Sequence, residues 1–175
     1  MSPRNLEERV QLSDGGEIVV RAITPTDKGR LLDFFDSLSG QTIRSRFLRL
    51  KPSLSEEELA ALTEVDFVGH VGIVATSGTG EGESIVGVGR YVVLDDSGGK
   101  RAEIALAITD KHQGRGIGVL LIEQLSTIAA AQGIAEFEMY VPSENRGRLQ
   151  ILEDLGRTVS RATDFGIAHI IFRTT

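Results

Sequence analysis

Two stretches of this chain are of a kind that does chemistry. Glu103 is the lone acid among small and apolar residues in Ala102-Glu103-Ile104-Ala105-Leu106-Ala107-Ile108. Shortly after it comes Gln113-Gly114-Arg115-Gly116-Ile117-Gly118, followed by an apolar pattern of helical period. Glycines at alternate positions remove side chains from the start of that helix. Its first backbone N–H groups lack intrahelical partners, and the helix dipole adds partial positive charge. Such a start is an anion site, for phosphate above all. The run is not the dinucleotide fingerprint, and no Gly-Lys-Ser/Thr closes it as a P-loop. Glu138 follows Gly118 by twenty residues, but it sits inside a strand, where a ribose-binding acid does not belong. Taken alone, the three glycines also suit a tight turn with close helix packing. Glu103 can accept a proton, and His70 and His112 add imidazoles, the side-chain type that changes charge between about pH 5 and 8.

These residues need a frame. Arg101 to Ile108 reads as a strand leading into the glycine run. The helix behind it shows Ile117, Leu121, Leu125 and Ile128 on one face and ends at Gln132-Gly133. Ile134 to Val141 is a strand whose ladder Pro142 stops, since proline has no N–H. Ser143 or Asn145 caps a helix carrying Leu149, Leu152 and Leu155. A hairpin of Arg157–Thr163 and Ile167–Phe172 closes the chain. His169 falls in its last strand, packed or facing solvent.

Upstream, residues 1–11 read as a loose polar lead-in, and Glu17 to Ile23 as the first strand. Thr24 or Thr26 caps a helix with Leu31, Leu32, Phe34, Phe35 and Leu38 on its apolar face. Ser39 to Leu50 is a second helical piece. Its Arg44, Arg46, Arg49 and Lys51 form either a solvated face or a substrate contact. Ser55 and Glu58 make a capping box for a third helix. Strands at Gly69–Thr76 and Ile85–Leu94 follow, with Gly87 and Gly89 marking close backbone approach and a turn at Asp95–Gly99. The order is β-α-α-α-β-β-β-α-β-α-β-β, about seven strands in one domain spanning 1–175.

Composition narrows the partners. The chain has 175 residues, 41% hydrophobic and 25% charged, and a formal charge of −6. That charge argues against nucleic-acid binding and mildly favours a cationic partner. No cysteine is present, so there is no disulfide or thiolate chemistry. No apolar run is long enough to span a membrane, and no signal peptide is visible. A cytoplasmic monomer or homodimer is expected.

Gln113, Gly116 and Gly118 match the acyl-CoA signature of the GNAT superfamily of N-acetyltransferases, and the element order from Glu17 to Phe172 resembles that superfamily's. Within it, three stretches resemble bacterial Pat-type protein-lysine acetyltransferases. They are Arg21-Ala-Ile-Thr-Pro-Thr-Asp-Lys with Phe34-Phe-Asp-Ser-Leu-Ser, then Ser45-Arg-Phe-Leu-Arg, then Leu62-Thr-Glu-Val-Asp-Phe with His70. The resemblance implies an α/β (α+β) fold with a mixed, mostly antiparallel sheet, splayed between strands 4 and 5 and flanked by helices. Acetyl-CoA would lie in the splay. Its pantetheine would pair with backbone at Leu106, Ala107 and Ile108. Gln113, Gly114, Arg115, Gly116, Gly118 and Val119 would form the pyrophosphate loop, and Asn145 would contact the cofactor arm. No metal is implied.

The acceptor implied is an amine, either a lysine on a protein or a small molecule. A lysine has a pKa of about 10.4 and is nearly all protonated at neutral pH, so a base is required. Glu103 aligns with the superfamily's strand glutamate that serves this role, and His70 matches a histidine common in Pat-like sequences. Ala105 and Ala107 share a strand face with Glu103 and leave room beside it. Leu152 stands where many members carry a tyrosine as general acid, so that role is unassigned. An acyl-CoA sensor without catalysis is the reading from another class, and Glu103 disfavours it.

Overall fold

In the computed structural model, residues 2–47, 53–95, 98 and 100–175 are described, with backbone alone from 44 to 47. Eight strands form one sheet in the order β1-β2-β3-β4-β5-β6-β8-β7. They are β1 (Glu7–Gln11), β2 (Glu17–Ala22), β3 (His70–Ser77), β4 (Ser84–Val93), β5 (Arg101–Ile108), β6 (Glu136–Pro142), β7 (Thr158–Asp164) and β8 (Ile167–Arg173). The helices are α1 (Lys28–Asp36), α2 (Gly40–Phe47), α3 (Glu56–Thr63), α4 (Ile117–Ala131) and α5 (Arg146–Asp154).

The additional strand is β1, in the stretch expected to be loose. It pairs antiparallel with β2 from Glu7↔Arg21 to Gln11↔Glu17. It lies at the sheet edge with nearly every side chain exposed, so it carries no apolar alternation for a sequence reading to find. The helical piece expected from Ser39 to Leu50 is seen as α2. Its end, the side chains of Arg44, Arg46, Arg49 and Lys51, and part of the Asp95–Gly99 turn lie outside the described residues.

Every described strand pair is antiparallel except β5–β6. That parallel pair is held at Arg101↔Glu136, Ala102↔Phe137 and Glu103↔Glu138, and then the strands part. The splay is therefore present, between β5 and β6 now that β1 is counted. Pro142 does not cause it. The strands separate three residues earlier, and β6 stays paired with β8 as far as Pro142↔Ile167.

On one side of the sheet α4 packs closely against β4. A Cβ on Gly87 would meet Ile108 Cδ1 at 2.9 Å, and one on Gly89 would meet Leu125 Cδ1 at 3.0 Å. Both positions stay bare so that α4 can lie close. On the same face the rings of Tyr91 and Phe137 are tilted and those of Phe137 and Phe172 T-shaped, with centroids 5.4 and 5.8 Å apart. On the other face, Arg21 holds Asp27 through two 2.8 Å hydrogen bonds and fixes the entry to α1. Burial pushes the Asp27 carboxyl up, but the Arg21 guanidinium and the Thr24 N–H outweigh it and hold it below its ordinary value. The pair thus stabilises the fold at neutral pH and stops doing so as the pH falls through that lowered value.

Ser55 caps α3 as expected. Its hydroxyl accepts from the Glu58 N–H, and Glu58 accepts from the Ser55 N–H at 2.8 Å. Replacing Ser55 by Ala should lower unfolding stability by about 1 kcal/mol, measured by denaturant titration, with catalysis unchanged.

Candidate active site

Beyond the point where β5 and β6 part, the end of β5 and the starts of α4 and α5 border a cleft of about 540 Å³. Antiparallel strands bond at every other pair. Thr109 N–H donates to Val86 O and Leu94 N–H to Arg101 O, which fixes the phase of the β4–β5 ladder. Leu106 and Ile108 therefore turn their backbone groups toward the gap. Ala107 is paired with Val88 in β4, so its backbone is used there. Of the three residues expected to meet a pantetheine arm, two present backbone to it.

The carbonyls of both residues are occupied by side chains. Arg148 Nη2 donates to Leu106 O at 3.1 Å, and Gln113 Nε2 donates to Ile108 O at 3.1 Å. Gln113 also donates to Thr42 Oγ1 at 3.2 Å, while Thr42 donates to Asp110 Oδ1 at 2.8 Å. The first residue of the signature thus ties α2 to the end of β5 and does not aim at an anion.

The glycines behave as their spacing suggested, for two separate reasons. Gly114 and Gly116 have φ of +73° and +86°, which only glycine adopts without strain, and Gly116 is the N-cap of α4. Gly118 lies inside the first turn, with Ile151 Cδ1 3.6 Å from where its Cβ would be. Gly114, Gly116, Gly118 and Val119 line the cleft. Arg115 does not. Its guanidinium turns outward to Asp14 in the β1–β2 turn, holding that carboxyl down at about 2. Asn145 lines the cleft as well and caps α5, its Oδ1 accepting from the Arg148 N–H at 3.1 Å.

His112 borders the same mouth. Burial, and then the Arg115 and Lys111 charges, push its pKa below the ordinary imidazole value, so it is neutral at pH 7. Its ring nitrogen Nδ1 lies 2.7 Å from Thr109 Oγ1. A four-residue contribution from Ser39, Gln41, Thr42 and Arg148 was not legible beforehand. Polar residues on short helices give no periodic signal that separates a cleft wall from a solvated face.

Glu103 sits at the apex of the gap. It is exposed, it is the last β5 residue paired with β6, and its partner there is Glu138. Side chains alternate along a strand. Leu106 packs toward Gly89 and α4, so Glu103 and Ala105 face the other side, where α1 to α3 lie. His70 shares that face two strands away, opposite Val92, with Nε2 3.2 Å from Arg90 Nη1. It does not line the cleft. Leu152, at the place of the missing tyrosine, is 2% exposed and part of the core.

The residues present fit an acyl-CoA. The cleft offers a length of β5 with no neighbouring strand for an amide-bearing arm and a glycine-lined helix N-terminus for a pyrophosphate. Glu103 does not line it and stands beyond it, where the two strands meet. Among the described residues no helix is long and apolar enough to cross a membrane. Residues 41–156 match the model of the acetyltransferase (GNAT) family. The chain is 27% identical over 153 residues to an acetyltransferase of Pseudomonas aeruginosa, covering 87% of this chain and 81% of that one. It is 29% identical over 158 residues to acetyltransferase Pat of Mycolicibacterium smegmatis, covering 90% of this chain but 46% of that relative. The crystal structure of the GNAT domain of S. lividans PAT superposes with a TM-score of 0.86 at 32% identity, covering 96% of this chain and 97% of that one. The chain belongs to the acetyltransferase (GNAT) family and is an acetyl-CoA-dependent N-acetyltransferase.

Proposed function

We propose that the acceptor is a lysine side chain on a protein, and that Glu103 is the general base. The observation that carries this reading is the place of Glu103, exposed at the point where β5 and β6 part. A thioester held along the gap ends beside that carboxylate, and the face around it is open to a macromolecule. Leu106 and Ile108 backbone groups would hold the pantetheine arm, with the N–H groups of Gly114 to Val119 on the pyrophosphate and Asn145 beside the arm. His70 would border the acceptor.

The chemistry is direct attack. The donor supplies an activated acyl group when bound. Glu103 takes a proton from the attacking nitrogen, directly or through water, and the thiolate leaves. The resemblance to Pat-type enzymes in the stretches from Arg21 to His70 supports a protein acceptor. The net charge of −6 suits a cationic one.

Incubation with labelled acetyl-CoA and cell lysate, beside a panel of small amines, tests the acceptor. Enzyme-dependent label on a few defined protein lysines is the expected result. Efficient turnover of a small amine, with protein label at the enzyme-free level, would assign the activity to small molecules.

A further inference from the structure

Next to Glu103 lies a second set of ionisable groups that the reaction above does not use. Glu138 is the register partner of Glu103 and is only 9% exposed. A carboxylate so buried needs a partner. His169 of β8 provides one, with Nε2 3.2 Å from Glu138 Oε2. The imidazole is fixed further by Tyr140, whose ring stacks on it with centroids 4.6 Å apart and planes 11° from parallel. Tyr140 and His169 are themselves register partners, so all three side chains share the sheet face of Glu103. That face is open here. Tyr140 remains 38% exposed on one flank of the acid pair, and Val92 44% on the other.

We infer that His169, positioned by Glu138 and Tyr140, is a second proton acceptor of the acetyl transfer, taking the proton that makes a bound alkylammonium a neutral amine. The inference rests on the reading of Glu103 as base and extends it. An alkylammonium must lose two protons before it becomes an amide. Nε2 points at Glu138, which leaves Nδ1 to accept. Carboxylate, imidazole and a fixed ring orientation form the arrangement that lets histidine serve as a base, with the carboxylate stabilising the imidazolium that forms. The first ammonium proton goes to Nδ1, directly or through one water. The neutral nitrogen then attacks the thioester carbonyl. Glu103 takes the second proton as the C–S bond breaks. That proton passes to the departing thiolate, and the imidazolium returns its proton to solvent.

Tyr140 is not the base. Burial, and then the charges of Glu138 and Glu103, raise its pKa and keep it protonated. The groups facing His169 are Glu138 and Tyr140 on β6 and Glu103 beyond them on β5. On β7, Ala162 lies opposite, with Asp164 two positions further along. Among the described residues, helices α1 to α3 and the β6–α5 connection contribute no hydrogen bond, ion pair or ring contact to the imidazole.

The experiment compares wild type, His169→Gln, Glu138→Gln and Glu103→Gln on Nα-acetyl-lysine amide and n-butylamine. The readouts are kcat/KM from pH 6.5 to 9.5 and acetyl-CoA Kd. The neutral fraction of an alkylamine rises about tenfold per pH unit below its pKa, so a base for the ammonium matters less as pH rises. His169→Gln should lose at least about tenfold at pH 7 and under about twofold at pH 9.5, with Kd unchanged. Glu138→Gln should follow the same profile, and it carries the test if His169→Gln does not fold. A His169→Gln profile parallel to wild type, or a loss equal at both ends, overturns the inference. If Glu103→Gln is impaired across the whole range while His169→Gln stays within twofold, only the second acceptor fails. If Glu103→Gln is near wild type while His169→Gln is impaired and rescued by high pH, the Glu103 reading fails and His169 is the base.

Discussion

Glu103→Gln should lower kcat by about 10²- to 10⁴-fold at saturating acceptor and leave acetyl-CoA binding intact, the range that removal of a general base covers. The substitution is isosteric and the site is exposed, so the fold should be unaffected. Glutamine keeps the shape and one acceptor oxygen but cannot hold a proton as a carboxylate does. The check is steady-state kinetics paired with calorimetry of the cofactor complex. A loss smaller than about threefold would take the base role from Glu103. A parallel loss of cofactor affinity would instead show that the side chain shapes the gap.

Gly116→Val should raise the acetyl-CoA Kd by about ten- to a hundredfold. The reason is conformation and not space, since no atom lies within 4 Å of where its Cβ would stand. At φ of +86° a non-glycine residue is strained by about 1–3 kcal/mol, and a tenfold change in Kd corresponds to about 1.4 kcal/mol. Valine, branched at Cβ, lies at the upper end. Relief of that strain would swing the N-cap and scatter the N–H groups that converge at the start of α4. Gly118→Val is the informative companion. Its backbone is ordinary and its nearest neighbour is at contact distance, so it should fold normally and act by blocking the helix start. Calorimetry showing unchanged binding in a folded Gly118→Val protein would place the cofactor elsewhere.

Much of this architecture was legible in the sequence because its signals are periodic or stereochemical. Ile117, Leu121 and Leu125 announce α4, and Ser55 with Glu58 announces the start of α3. Gly87 and Gly89 announce the close approach of a helix. β1 was not legible, since an exposed edge strand is held by backbone bonds that any polar sequence can make. Pro142 marks the end of its own strand, which a missing N–H makes legible as a local fact, whereas the divergence of β5 from β6 is set by how whole strands pack. The stretch from Arg21 to Lys28 carried a family resemblance suggestive of the acceptor. In the fold, Arg21 and Asp27 bind each other and brace α1, so that part of the likeness concerns architecture. Glu138 and His169 lie 31 residues apart and meet only through strand pairing, which no local spacing reveals.

The side chains resting on the Leu106 and Ile108 carbonyls have a consequence for the protein before any donor arrives. A sheet that parts in its middle has an internal edge, and a bare edge invites an extended segment from another molecule to add itself as a strand. Here the guanidinium of Arg148 and the amide of Gln113 cover the two outward carbonyls, as charged side chains shield the outer rim of many sheets. Both are polar groups on long stems, which can move aside for a ligand that supplies equivalent donors. The slot is thus guarded against self-association by the same residues that must yield to its substrate.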